Sequence, residues 1–135
     1  MSTRFENNQD LDRELNAIKI FCEKFKAKYE KLGKHDVDFK VTRGDSVCHI
    51  EFKGRNRYIA DAYPLPIAAR KLVKLCDKKT EAIIIWGCFD GLIYGNIKHI
   101  ESIGKIGGRK PREGAANDVE YMLYFNKQDM LLQIL

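Results

Sequence analysis

The sequence predicts an α/β fold in which a central mixed β-sheet is flanked by helices. Three observations carry this expectation: apolar residues recur at helical spacing near the N-terminus, they alternate strictly over residues 36–53, and an unbroken apolar run stands at 82–86. The chain has 135 residues and is 44% hydrophobic, enough for one compact core. A single domain over 1–135 is expected, with its core at about 10–97.

Residues 10–32 read as one amphipathic helix. Leu11, Leu15, Ile18, Cys22, Phe25, Tyr29 and Leu32 share a face at spacings of three and four, and Gly33 supplies a stop. Residues 36–53 read as a β-hairpin. Val37, Phe39 and Val41 alternate with Asp36, Asp38 and Lys40, while Cys48, Ile50 and Phe52 alternate with Val47, His49, Glu51 and Lys53. Gly44-Asp45 is a favoured two-residue hairpin loop.

Residues 54–65 form a basic, aromatic connection, and Pro64 and Pro66 bracket the start of a second helix over about 66–78. The run Ala82, Ile83, Ile84, Ile85, Trp86 predicts a strand buried on both faces. Asp90-Gly91 turns the chain into a further strand at 92–97. Residues 104–118 are rich in Gly and charge and read as a loop. Val119, Tyr121, Leu123 and Phe125 alternate as a late strand, and a short helix is expected from about residue 127, capped by Asn126.

Composition narrows the function. No apolar run approaches the ~20 residues that span a bilayer. The N-terminal residues are polar and lack a signal-peptide core, so a soluble, cytoplasmic protein without membrane contact is expected. The four cysteines form no CxxC pair and, with the three histidines, match no zinc-ligand spacing. They read as reduced, mostly buried thiols. The net charge of +5 suits a polyanion-binding surface.

The hairpin register carries the chemistry. With Gly44 and Asp45 as the loop, Arg43 faces Ser46, Asp38 faces Glu51 and Asp36 faces Lys53. Facing side chains share a side of the sheet, with Cβ atoms about 4.5–5.5 Å apart. Two carboxylates so close repel unless a cation lies between them. Magnesium takes oxygen ligands and needs only one or two carboxylates from the protein, keeping several waters. Such a water can attack a phosphodiester, and Lys53 can orient it or stabilise the developing charge. An ordinary salt-bridged strand face would use the same residues.

The full pattern, Asp38-Phe39 on one arm and Glu51-Phe52-Lys53 on the next, resembles the motif of the PD-(D/E)XK nuclease superfamily. Val37 stands where that family usually has Pro. The order of helix, hairpin, helix and buried strand over residues 10–97 fits as well. In size and layout the chain is similar to small archaeal Holliday-junction resolvases and related phage nucleases. The resemblance implies a restriction-endonuclease-like core and Mg²⁺- or Mn²⁺-dependent hydrolysis of DNA, branched DNA among the substrates. It implies Asp38 and Glu51 as metal ligands, Lys53 as the catalytic lysine, and a homodimer. Those nucleases also carry a glutamate on the first helix in a context like Arg13-Glu14-Leu15. By spacing, Glu14 lies at the edge of the apolar face, where it points either toward the sheet or to solvent.

Arg55, Arg57 and Tyr58 follow the candidate catalytic strand and are placed to contact phosphate or sugar. Lys105, Arg109, Lys110 and Arg112 sit among glycines at 104–114, a composition suited to gripping DNA, although the spacing is not that of a Walker A loop. Two other readings use the same residues: a nucleic-acid-binding module with a vestigial site, and a protein-interaction domain with a structural hairpin.

Overall fold

The structure, a computed structural model, describes residues 8–97, 103–108, 119–125 and 132–134. Helix α1 (Asn8–Phe25) leads into β1 (Lys28–Lys31), β2 (Phe39–Arg43) and β3 (Ser46–Gly54). A 3₁₀ turn (Ile59–Asp61), β4 (Leu65–Ala68) and α2 (Ala69–Cys76) follow, then β5 (Glu81–Cys88) and β6 (Gly91–Asn96). Strands β7 (Ile103–Gly108), β8 (Val119–Phe125) and β9 (Leu132–Ile134) come last. One sheet has the order β1-β2-β3-β5-β6-β9, and a second has β4-β8-β7. The larger sheet is mixed, since β3 and β5 run parallel while its other pairs are antiparallel.

Strand β5 divides the core. Ala82, Ile84 and Trp86 pack on one face with Leu72 and Leu75 of α2, Leu65 and Ile67 of β4, and Phe125 of β8. Ile83 and Ile85 face the other way, with Ile50 and Phe39, under Ala17, Ile18, Phe21 and Cys22 of α1. The strand is therefore buried on both faces, as its sequence predicts. The hairpin register also holds: Arg43 pairs with Ser46, Val41 with Cys48 and Phe39 with Ile50. Gly44 takes φ 60°, the left-handed value that the first loop position of a tight hairpin favours in glycine.

Several elements differ from expectation. The first helix ends at Phe25 rather than near residue 32. Lys26 adopts φ 54°, the amide of Ala27 bonds to the carbonyl of Cys22, and that of Lys26 bonds to Glu23. This is a Schellman cap with lysine in the position usually taken by glycine, so no glycine marks the stop. Tyr29 and Leu32 consequently leave the helix, and Tyr29 lies in β1. The buried face of α1 is also rotated: Glu14, Ala17, Ile18, Phe21 and Cys22 are inside, whereas Leu11 and Leu15 are exposed.

The second helix begins at Ala69, because residues 65–68 are strand β4. Pro66 there sits on the edge of the smaller sheet, where a missing amide is tolerated. The stretch expected as a loop from residue 104 begins instead as strand β7, paired with β8. Its glycines leave no side-chain alternation to read. Of the stretch expected as a C-terminal helix, Leu132–Ile134 is strand β9 against β6; the start of that stretch lies outside the described residues, with 126–131, as do 109–118. Of the thiols, Cys22 is buried, Cys48 and Cys88 are half-buried and Cys76 is exposed. Among the described residues, no helix is long and apolar enough to cross a membrane.

Candidate active site

An open cleft of about 690 Å³ lies at the carboxyl end of the parallel β3/β5 pair, lined by residues that include Glu14, Asp36, Asp38, Glu51 and Lys53. All four residues singled out as catalytic from the sequence thus border one cavity. Glu51 and Lys53 alternate with Ile50 and Phe52, so the residues that anchor β3 to α1 leave the acid and the lysine for the opposite face. Asp38 immediately precedes β2. Its Oδ2 accepts the main-chain amide of Phe52 at 2.7 Å, which fixes it beside the strand position between Glu51 and Lys53. The neighbouring Val37, at the position of the motif proline, is fully buried in the α2-side core.

Glu51 is 5% exposed, a buried carboxylate. Its pKa is pushed from near 4.5 up to about 7, first by burial and then by the charge of Asp38, with Lys71 of α2 opposing the rise. Lys71 Nζ stands 3.4 Å from Glu51 Oε2. Glu14, also 5% exposed, points inward from α1. Lys31 Nζ lies 2.5 Å from Glu14 Oε1 and 3.5 Å from Asp38 Oδ1. Burial works against the Lys31 ammonium, but its hydrogen bond to Glu14 and the charges of Asp38 and Glu14 outweigh this and raise its pKa.

Asp36 borders the cleft and lies ahead of the paired residues of the hairpin. Its carboxylate meets Lys78 at 2.6 Å and accepts the Val37 amide, and these contacts hold its pKa down. His49, on the same face of β3, is engaged by Thr80 Oγ1 at 2.6 Å. Arg55 turns away from the cleft: its guanidinium donates to the carbonyls of Ala62 and Pro64. Arg57 is exposed and lies outside the cleft lining. Lys105 belongs to β7, but its side chain is outside the described residues, as are Arg109, Lys110 and Arg112.

Sequence reasoning missed the basic half of the site. Arg13, Lys34, Arg70, Lys71 and Lys74 all line the cleft. Arg70, Lys71 and Lys74 fall within one turn of α2, a spacing visible in the sequence, yet only the position of α2 over Glu51 gives it meaning. Lys31 was hidden because its segment reads as helix.

Among the described residues, no three His, Cys, Asp or Glu side chains converge into a metal cage. The carboxylates that could serve a metal are those of Asp38 and Glu51, which both line the cleft. Two carboxylate ligands, one of them with a pKa raised first by burial and then by the charge of its neighbour, fit a hard divalent ion that retains most of its water and offsets their repulsion.

A mixed sheet between helices, with an acid before one strand and an acid-x-lysine on the next, makes this a restriction-endonuclease-like α/β fold. The chain belongs to the PD-(D/E)XK nucleases: the model of a family described as "Phage putative PDDEXK endonuclease" matches residues 1–131. No curated protein and no solved structure gave a match.

Proposed function

We propose that this protein is an endonuclease that hydrolyses DNA phosphodiester bonds with Mg²⁺ or Mn²⁺. The observation that carries this reading is the tether of Asp38 to the Phe52 amide, between Glu51 and Lys53, in a cleft that all three line and that cations from α1 and α2 border. A bound ion supplies charge stabilisation and an activated water. Asp38 and Glu51 hold it, and Lys53, exposed at the cleft edge, faces the attacked phosphate and stabilises its charge. Lys71 keeps Glu51 in place, while Arg13, Arg70 and Lys74 neutralise neighbouring phosphates. Glu14 acts with Lys31 to position Asp38. A homodimer sets two clefts across a duplex or a branch.

The test is incubation of linear duplex, single-stranded and four-way-junction DNA with Mg²⁺, Mn²⁺ or chelator. Product that requires metal supports the reading, and preference for the junction supports action on branched DNA. Metal-independent binding with no product from any substrate favours a vestigial site.

A further inference from the structure

The parallel β3/β5 pair does not end at the cleft. Beyond Gly54, the amide of Arg55 bonds to the carbonyl of Gly87 at 2.9 Å, and the amide of Phe89 bonds to the carbonyl of Arg57 at 2.9 Å. These bonds continue the ladder past the strand ends. The amide of Ile59 bonds to Asp90 Oδ1 at 2.9 Å, and Arg13 joins Asn56 at 2.8 Å and the Gly87 carbonyl at 3.1 Å. The tip built this way is knit by main-chain contacts, and it carries two aromatic rings into solvent. Tyr58 is 57% and Phe89 58% exposed. Their rings meet edge to face, with centroids 5.2 Å apart.

A second cleft adjoins the acidic one. It shares Arg13 and Phe52 with it and includes Phe89 and Asn56. Tyr58 is five residues beyond Lys53, at most ~17 Å along extended chain. Phe89 therefore lines a cleft that adjoins the carboxylate cleft at Arg13 and Phe52, and the Tyr58 ring rests against Phe89. Exposed aromatics beside a cationic groove are the elements with which proteins hold unpaired bases, the ring taking the base and the cation the phosphate.

We infer that Tyr58 and Phe89 form a stacking platform for an unpaired nucleobase next to the scissile phosphate. The site thus takes DNA with a single-stranded segment beside the cleavage point, such as a branch, flap or frayed end. This rests on the nuclease reading and adds a substrate class to it. Arg57, exposed between the rings and β3, takes the adjoining phosphate.

The experiment measures binding of a single-stranded oligodeoxynucleotide containing 2-aminopurine, and of the blunt duplex of the same sequence. It is done in Ca²⁺ so that the acidic cleft is neutralised, with wild type, Tyr58→Ala, Phe89→Ala and Phe89→Tyr; cleavage in Mg²⁺ is followed separately. The expected result is quenching of 2-aminopurine by wild type. Each alanine variant weakens single-strand binding about tenfold, duplex binding changes less than about twofold, and Phe89→Tyr behaves as wild type. Thermal melting checks that the exposed-site variants remain folded. If wild type cleaves DNA but the alanine variants bind single strands undiminished, or lose single-strand and duplex binding equally, the platform is overturned and the nuclease stands. If wild type neither binds nor cleaves any DNA, both fall.

Discussion

The main-chain amide of Phe52 donates to Oδ2 of Asp38 at 2.7 Å, tying the acid that precedes one strand to the backbone between Glu51 and Lys53 on the next. The hairpin therefore positions the candidate site by its own hydrogen bonding, and the site's geometry is inseparable from its register.

Glu51 makes the stability of the protein depend on pH. Its folded pKa of about 7 lies above its ordinary 4.5, so between these values the folded state holds a proton that the unfolded state has lost. Stability falls as pH rises through this window and levels off above it. Replacing Glu51 with Gln removes the buried charge. Denaturant unfolding at pH 5 and pH 8 is expected to show Glu51→Gln gaining on wild type between the two, on the order of 2 kcal/mol. A variant whose stability relative to wild type is the same at both values contradicts the assigned environment.

Metal binding should follow the same proton. A divalent ion takes the carboxylate form, so binding displaces the proton that Glu51 holds below about pH 7. Calorimetric titration with Mn²⁺ is expected to show affinity rising from pH 5.5 to pH 8, with proton release at the lower value. Affinity that is flat with pH, or unchanged in Glu51→Gln, argues against this carboxylate as a ligand.

Lys31 holds Glu14 and Asp38 together, with its ammonium also 4.9 Å from the centre of the Phe39 ring. Lys31→Met leaves the buried Glu14 carboxylate without this partner. The Lys31 side chain is 46% exposed, so solvent screens part of the interaction. The expected loss is about 1–3 kcal/mol by thermal or denaturant unfolding, below the ~3–5 kcal/mol of a fully buried pair. The double variant Glu14→Gln, Lys31→Met should recover part of it.

Gly87 pairs with Gly54 in the β3/β5 ladder, and the tip of the Phe52 ring lies over it. A Cβ at this position would lie 2.7 Å from Phe52 Cζ, closer than packed atoms allow. Gly87→Ala must push the ring aside, and with it the residue whose amide holds Asp38. A loss of about 1–3 kcal/mol is expected, and Phe52→Leu in the same chain should relieve it. Wild-type stability in Gly87→Ala alone would mean that the ring moves without cost.

The parts legible in the sequence were those fixed by short-range pattern. Strict alternation and the Gly44 turn set the hairpin register, and with it the approach of Asp38 to Glu51 and Lys53. The isoleucine run of β5 announced burial on both faces. What stayed hidden depends on contacts distant in sequence or on unmarked backbone. Lys26 ends α1 without a glycine, so the pattern through β1 and Lys31 reads as helix. Pro66 suits a helix start and an edge strand equally, and only pairing with β8 decides between them. Glycines erase the alternation of β7. Glu14 is ambiguous in the sequence because Leu11 and Leu15 suggest a different buried face from the one α1 uses.

The central claim is tested most directly by assaying wild type beside Asp38→Ala and Lys53→Ala for metal-dependent cleavage of DNA, with folding checked by thermal melting. The account predicts cleavage by wild type in Mg²⁺ or Mn²⁺ and at least a hundredfold loss in both folded variants, on the order of 3 kcal/mol of transition-state stabilisation. Cleavage that survives in either variant, or a wild type that binds DNA and never cuts it, would contradict it.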